Sequence, residues 1–155
     1  MTPTRIIAAI TFAEDSLEAA AIAASLAESL GAELVLAGIA PLAADEETDG
    51  DGSAPASEQQ LVDHLIGTRL EQFRAALAPG IRARTRMTWG PVGAALVSAA
   101  VDERADLVVV PSRRESRVAH PLHDRVERYV LHHSDVPVLV VPTSGHAAQE
   151  LPKAA

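Results

Sequence analysis

The 155-residue chain is long enough for one domain with a substantial core, and 48% of its residues are hydrophobic, which excludes a disordered chain. Its formal charge, 13 − 21 = −8, disfavours nonspecific binding to nucleic acid and anionic membranes, because the global field repels polyanions. Cysteine is absent, so disulfides, thiolate catalysis and thiolate metal sites are excluded.

The beginning of the chain does not resemble a signal peptide. The apolar start is interrupted by Glu14 and Asp15, and no later apolar run is long enough to span a bilayer. We therefore expect a cytoplasmic protein with neither a membrane nor a nucleic-acid partner.

Apolar runs of strand length alternate with segments of helical spacing along the chain. The first run, residues 5–12, is followed by Glu14, Asp15 and Ser16, which are typical of a helix start, and Gly31 lies where the cap of that helix belongs. The apolar stripe of this helix is predicted at Ile22, Ala23, Leu26, Ala27 and Leu30. Further strands are predicted at residues 32–40, 81–89, 106–110 and 136–141, and further helices at residues 62–77, 91–100 and 121–133.

Five strands that alternate with four helices predict an α/β fold. Such a pattern is typical of a doubly wound parallel sheet with right-handed crossovers and helices on both faces. In residues 81–89 apolar residues alternate with Arg82, Arg84 and Arg86, which gives one buried and one wet face and places this strand at a sheet edge. The domain is predicted to span residues 1–142.

Two further segments are predicted to be mobile. Residues 41–57 are acidic and rich in Gly, Ser and Pro, which favours a surface loop. Residues 143–155 are predicted to form a flexible tail.

The segment DLVVVPSRRESRVAH (106–120) combines a buried strand with an unusual loop. Loops that leave such strands often bind phosphate through backbone amides, and they are then rich in glycine. This loop instead begins with Pro111 and contains Arg113, Arg114 and Arg117, with no glycine. It is therefore predicted to be either a solvated loop, an anion site made of arginine side chains, or a contact for an unidentified protein partner.

The order of several stretches resembles the universal stress protein family over about residues 4 to 142. The stretches that carry the resemblance are IIAAI, LAESLGAELVLAGI, WGPVGAALVSAAVDERADLVVVP and RVERYVLHHSDVPVLVV. The resemblance implies strand order 3-2-1-4-5, with a crevice between the first and fourth strands. It also implies that many members bind ATP in this crevice while others do not.

The phosphate-binding pattern of the ATP-binding members is absent from this chain. The family pattern G-x2-G-x9-G-[S/T] falls on Pro111, Arg114, Asp124 and Arg125, none of which matches. Proline offers no N–H, and a carboxylate at the start of a helix occupies the position that favours an anion. The aspartate with which the family's first strand typically ends is here Thr11.

The resemblance therefore predicts a degenerate nucleotide crevice. Its candidate residues are Ile10, Thr11, Ile39, Pro111, Ser112, Arg113, Arg114, Arg117, Asp124 and Arg125. Our leading hypothesis is a non-catalytic stress-response or regulatory module without tight ATP binding and without a required cofactor. The alternative is a regulator that binds ATP or AMP, with slow ATPase activity or none, and holds the phosphates with arginine side chains.

A homodimer is expected through the strand Val136–Val141. This strand lies at the edge of the sheet in the implied order, and its sequence VPVLVV is too apolar to leave open to water. Pairing with a second copy would cover it.

Other signals in the sequence are weaker. The acidic loop approaches a calcium-binding pattern, but Glu47 replaces the first aspartate and Pro55 interrupts it. His120, His123 and Asp124 have spacing that allows a metal site, but nothing supplies a further ligand. We therefore predict no metal site and no catalytic residues.

Overall fold

A computed structural model describes residues 2–42, 54–113 and 123–143 of the chain. Its strands are β1 (Arg5–Ile10), β2 (Glu33–Ala40), β3 (Ala83–Trp89), β4 (Leu107–Arg113) and β5 (Val138–Thr143). Its helices are α1 (Glu14–Leu30), α2 (Ala54–Ala75), α3 (Val92–Asp102) and α4 (His123–His133). Within these described ranges, no helix has both the length and the apolar character needed to cross a membrane.

The five strands form one sheet in the order β3-β2-β1-β4-β5, and every neighbouring pair is parallel. This confirms the predicted α/β class, the strand order and the edge positions of β3 and β5. Because the order reverses direction beside β1, the carboxyl ends of β1 and β4 diverge and leave a crevice between them.

Helices cover the sheet on both faces and bury two apolar layers. Alternate residues of β1 divide between the layers: Ile6, Ala8 and Ile10 face α1 and α2, whereas Ile7 and Ala9 face α3. This is the period-two alternation expected of a strand that is buried on both faces.

The stripe predicted for α1 is only partly correct. The residues of α1 that are buried against the sheet are mostly alanines, whereas Ile22 and Leu30 are 44% and 40% exposed. Alanine lets a helix approach the strands closely, so α1 packs through its smallest residues and its larger apolar residues lie at the sides.

Several element boundaries differ from those predicted. Helix α2 begins at Ala54, inside the predicted loop 41–57. A proline at residue 55 is compatible with this start, since the first turn of a helix does not need its N–H. Strand β4 continues past Val110 to Arg113, and β5 continues to Thr143, because these two ends pair with each other. The Thr143 side chain is buried and its hydroxyl donates a hydrogen bond to the carbonyl of Ser112 at 3.2 Å.

Ion pairs cover the outer strand β3. Arg84 pairs with Glu33 of β2 and with Glu103 at the end of α3, and Arg86 pairs with Glu103 at 3.1 Å. The hydrogen bond from Arg84 holds the pKa of the Glu33 carboxyl below its ordinary value. The basic face predicted for this strand therefore lies under charged partners, a common protection against edge-to-edge pairing.

The other outer strand, β5, presents a different edge. The amide of Val108 donates to the carbonyl of Pro137, which fixes the ladder so that the amides of Leu139 and Val141 point towards β4. By the same alternation, the amides of Val138 and Val140 point away from the sheet and have no strand partner within the described chain.

Helices α3 and α4 approach closely at Gly93. A β-carbon on Gly93 would lie 3.0 Å from the Tyr129 Cβ, and at Gly67 in α2 it would meet nothing within 4 Å. We expect Gly93→Ala to lower the free energy of unfolding by about 1–3 kcal/mol through overpacking. Gly67→Ala, the matched control, should raise it by about 0.5–1 kcal/mol.

Urea denaturation of the two variants measures both changes. A Gly93→Ala protein as stable as the wild type would contradict the close packing. The contact has a consequence for the crevice, because α4 also carries Val126, which lines it.

Candidate functional site

A cavity of about 240 Å³ lies at the carboxyl ends of β1 and β4. The first turn of α1 contributes to its wall, as do residues of α3 and α4. The described residues that line it are Ala9, Thr11, Ala13, Asp15, Ser16, Val92, Leu96, Val110, Pro111 and Val126. In open parallel sheets this switch point is where ligands bind.

Pro111 lies in β4 and not, as predicted, in the loop that follows it. The last residue pair between β1 and β4 is Ala8–Val109. Successive residues of β4 direct their backbone polar groups alternately towards β5 and towards β1. The amide of Val108 donates to the carbonyl of Pro137 on the β5 side, so the nitrogen of residue 111 faces β1. Proline has no N–H to donate there, which accounts for the end of the β1–β4 ladder and leaves the cavity wall without a donor at this position.

The turn from β1 into α1 satisfies its own polar groups. The amide of Thr11 donates to the Ser16 hydroxyl at 3.0 Å, and the amide of Ala13 donates to the Thr11 hydroxyl oxygen at 3.1 Å. The Ser16 hydroxyl in turn donates to the Ala13 carbonyl at 2.8 Å. Thr11 therefore acts as a turn residue, and its oxygen is engaged by the backbone.

Asp15 gives the cavity its charge. This carboxyl belongs to the first turn of α1, is only 6% exposed and lines the cavity. The favourable end of the helix dipole is thus already occupied by a negative side chain of the protein. Among the described lining residues there is no arginine, lysine or histidine, so a phosphate placed here would meet a carboxylate and no cation from this part of the chain.

The sequence profile of the Universal stress protein family matches residues 3–142. The chain belongs to the universal stress protein family. No curated protein matches it at a significant level.

Solved structures share the fold of this universal stress protein. One is a universal stress protein in complex with cAMP, with 21% sequence identity, a TM-score of 0.64, and coverage of 93% of this chain and 100% of the other. A second, solved as a structural-genomics test of functional assignment, has 17% identity, a TM-score of 0.75, and coverage of 93% and 99%. A third, from Archaeoglobus fulgidus in complex with dAMP, has 14% identity, a TM-score of 0.53, and coverage of 91% and 99%.

Of the candidate residues whose side chains the structure describes, Thr11 and Pro111 line the cavity of this universal stress protein. Ile10 and Ile39 are fully buried in the two core layers, and Ser112 pairs with β5 through its carbonyl. For these three residues a role in the crevice stays a prediction.

The remaining candidates fall partly or wholly outside the described residues. Arg114 and Arg117 lie in a segment that is not described, as does His120. Arg113 ends β4, while Asp124 and Arg125 lie in the first turn of α4. Within the described ranges, no group of three His, Asp or Glu side chains is placed to hold a metal ion.

The sequence interpretation missed the most polar part of the wall. Asp15 and Ser16 were assigned only to a helix start, although a helix that follows β1 must begin beside the crevice. That topological relation was the available signal, because in a doubly wound sheet the first turn after each strand lies at the carboxyl edge.

Proposed function

We propose that this universal stress protein is a non-catalytic stress-response or regulatory module whose crevice does not bind ATP tightly. The observation that supports the proposal is the described wall of the crevice, which combines the buried carboxyl of Asp15 with Pro111, a residue without an N–H. Phosphate sites need the opposite arrangement, with inward amides and a free helix N-terminus.

The remainder of the wall favours an apolar ligand or none. Apart from Thr11, Asp15 and Ser16, the described lining residues are alanine, valine, leucine and proline. The hydroxyls of Thr11 and Ser16 already take part in the β1–α1 turn. The described wall of the crevice is therefore mainly apolar.

A nucleotide with a single phosphate group is the second candidate ligand. The structures in complex with cAMP and dAMP belong to the same family, and a monophosphate carries less charge into the crevice than ATP does. Arginine side chains from 113–125 would then hold the phosphate.

The same proposal includes a homodimer through β5. The amides of Val138 and Val140 point outward from an apolar edge strand, and a second copy of this strand would pair with them. The acidic net charge argues against a nucleic-acid partner.

The experiment that tests the proposal is the identification of whatever co-purifies with the protein. Heat release followed by chromatography against ATP, AMP and cAMP standards should detect no stoichiometric ATP. Stoichiometric ATP would contradict the proposal, and AMP or cAMP would instead support the monophosphate candidate.

A further inference from the structure

Two helices of this protein end in the same backbone motif but with different residues. At the end of α1, Gly31 adopts φ 65°, and at the end of α3, Arg104 adopts φ 53°. In both cases the amide of this residue and the amide of the next residue donate to carbonyls of the preceding turn. This double hydrogen bond is the Schellman motif, in which the left-handed residue is usually glycine.

Arg104 therefore occupies a position that glycine would fill with less strain. Of the described residues, it is the only one other than glycine with a positive φ. A side chain in the left-handed region costs stability, and such residues cluster where the side chain has a use. The backbone of α3 does not explain the arginine, since α1 forms the same cap with Gly31.

Arg104 is one of the residues that line a second cavity, of about 200 Å³, between the end of α3 and the turn that joins α4 to β5. This cavity lies at the amino edge of the sheet, at the opposite end of the strands from the crevice. Asp135, in the turn between α4 and β5, is another of its lining residues. Within the described part of the chain, neither the guanidinium of Arg104 nor the carboxylate of Asp135 has an ion pair or a hydrogen bond.

The turn that carries Asp135 is fixed by its neighbours. The Ser134 hydroxyl donates to the carbonyl of Val136 at 2.8 Å and accepts the amide of Val136 at 3.2 Å. The apolar residues that line this cavity include Val97, Val101 and Val136. The cavity thus presents a cation, an anion and a branched apolar surface on fixed backbone.

We propose that this second cavity binds a small apolar amino acid as its zwitterion. The α-carboxylate would pair with the planar fork of Arg104, the α-ammonium with Asp135, and the alkyl side chain would pack against the lining valines. Such a ligand has no net charge, so the negative field of the protein does not oppose its binding. The cavity has room for roughly six to seven waters, which matches the size of valine.

The test uses L-valine as the probe, with calorimetry of the full-length protein and ¹⁵N-resolved chemical shifts. We expect saturable binding with a Kd of about 1 mM or tighter and shifts concentrated in residues 97–105 and 134–136. Isovalerate, which lacks the ammonium, and isobutylamine, which lacks the carboxylate, should each bind at least about tenfold more weakly.

Arg104→Gly separates the role in binding from the role in folding. Because it relieves the left-handed strain, this variant should melt about 2–4 °C higher than the wild type and yet bind valine about tenfold more weakly or not at all. Asp135→Asn should also weaken binding, while ATP titrations of both variants should match those of the wild type.

Three results would overturn the proposal. One is the absence of saturable valine binding to the wild type, and another is equal affinity in wild type and Arg104→Gly. The third is a set of shifts at the crevice around Thr11 instead of at the second cavity. The failure of this site leaves the proposed function of the crevice untouched, since the two lie at opposite edges of the sheet.

Discussion

Replacing Val140 by proline is expected to leave the protein folded and to abolish the proposed homodimer. The amide of Val140 points away from β4, so its loss removes no hydrogen bond of the sheet. Proline is tolerated on edge strands when its nitrogen faces outward. Pro142, the next residue in the strand whose nitrogen faces outward, already occupies this kind of position.

The expected effect is large because Val140 is central to the free edge. In an antiparallel pairing of two β5 strands about a two-fold axis, Val140 would face its own copy and exchange both backbone hydrogen bonds with it. Val138 supplies the other outward amide, whereas Pro142 supplies none. Proline at residue 140 would remove the central donors from both copies at once.

Light scattering after gel filtration measures the outcome directly. The wild type should be a dimer at micromolar concentration, Val140→Pro a monomer with a cooperative melt, and the control Val140→Thr, which keeps the amide and a β-branched side chain, a dimer. A monomeric wild type at high micromolar concentration, or a dimeric Val140→Pro protein, would contradict pairing through β5.

The fold of this protein was largely predictable from its sequence, because each β-α unit carries its own signals. Apolar runs of strand length, the cap at Gly31 and the alternation of arginines in 82–86 each report a local property, and the structure confirms the edge position of β3. The strand order came from the family resemblance and is also confirmed.

The boundaries that were missed depend on contacts between distant residues. Strand β4 continues through Pro111 because its last residues pair with β5, about thirty residues later in the chain. The nitrogen of Pro111 faces away from β5, so proline removes no hydrogen bond of that pairing. A local pattern cannot show which neighbour a backbone amide faces. A local pattern likewise cannot show that the side chains of Ile10 and Ile39 are fully buried.

The positions of Asp15 in the crevice and of Arg104 in the second cavity also depend on contacts that a local sequence pattern does not show. Asp15 reads in sequence as an ordinary acidic residue at a helix start, and only the packing of α1 above the crevice makes it 6% exposed. Arg104 reads as a surface arginine, because no sequence pattern shows that it occupies the left-handed position of a helix cap.

Thermal melting with Mg-ATP tests the central claim, that the crevice does not bind ATP tightly, most directly. A ligand at one hundred times its Kd stabilises a protein by about 2.7 kcal/mol, which for a domain of this size raises the melting temperature by roughly 5–10 °C. We expect millimolar Mg-ATP to produce no shift beyond that of an equal concentration of magnesium pyrophosphate. A clear ATP-specific shift would contradict the account, and its loss in Arg114→Ala would show that an arginine side chain holds the nucleotide.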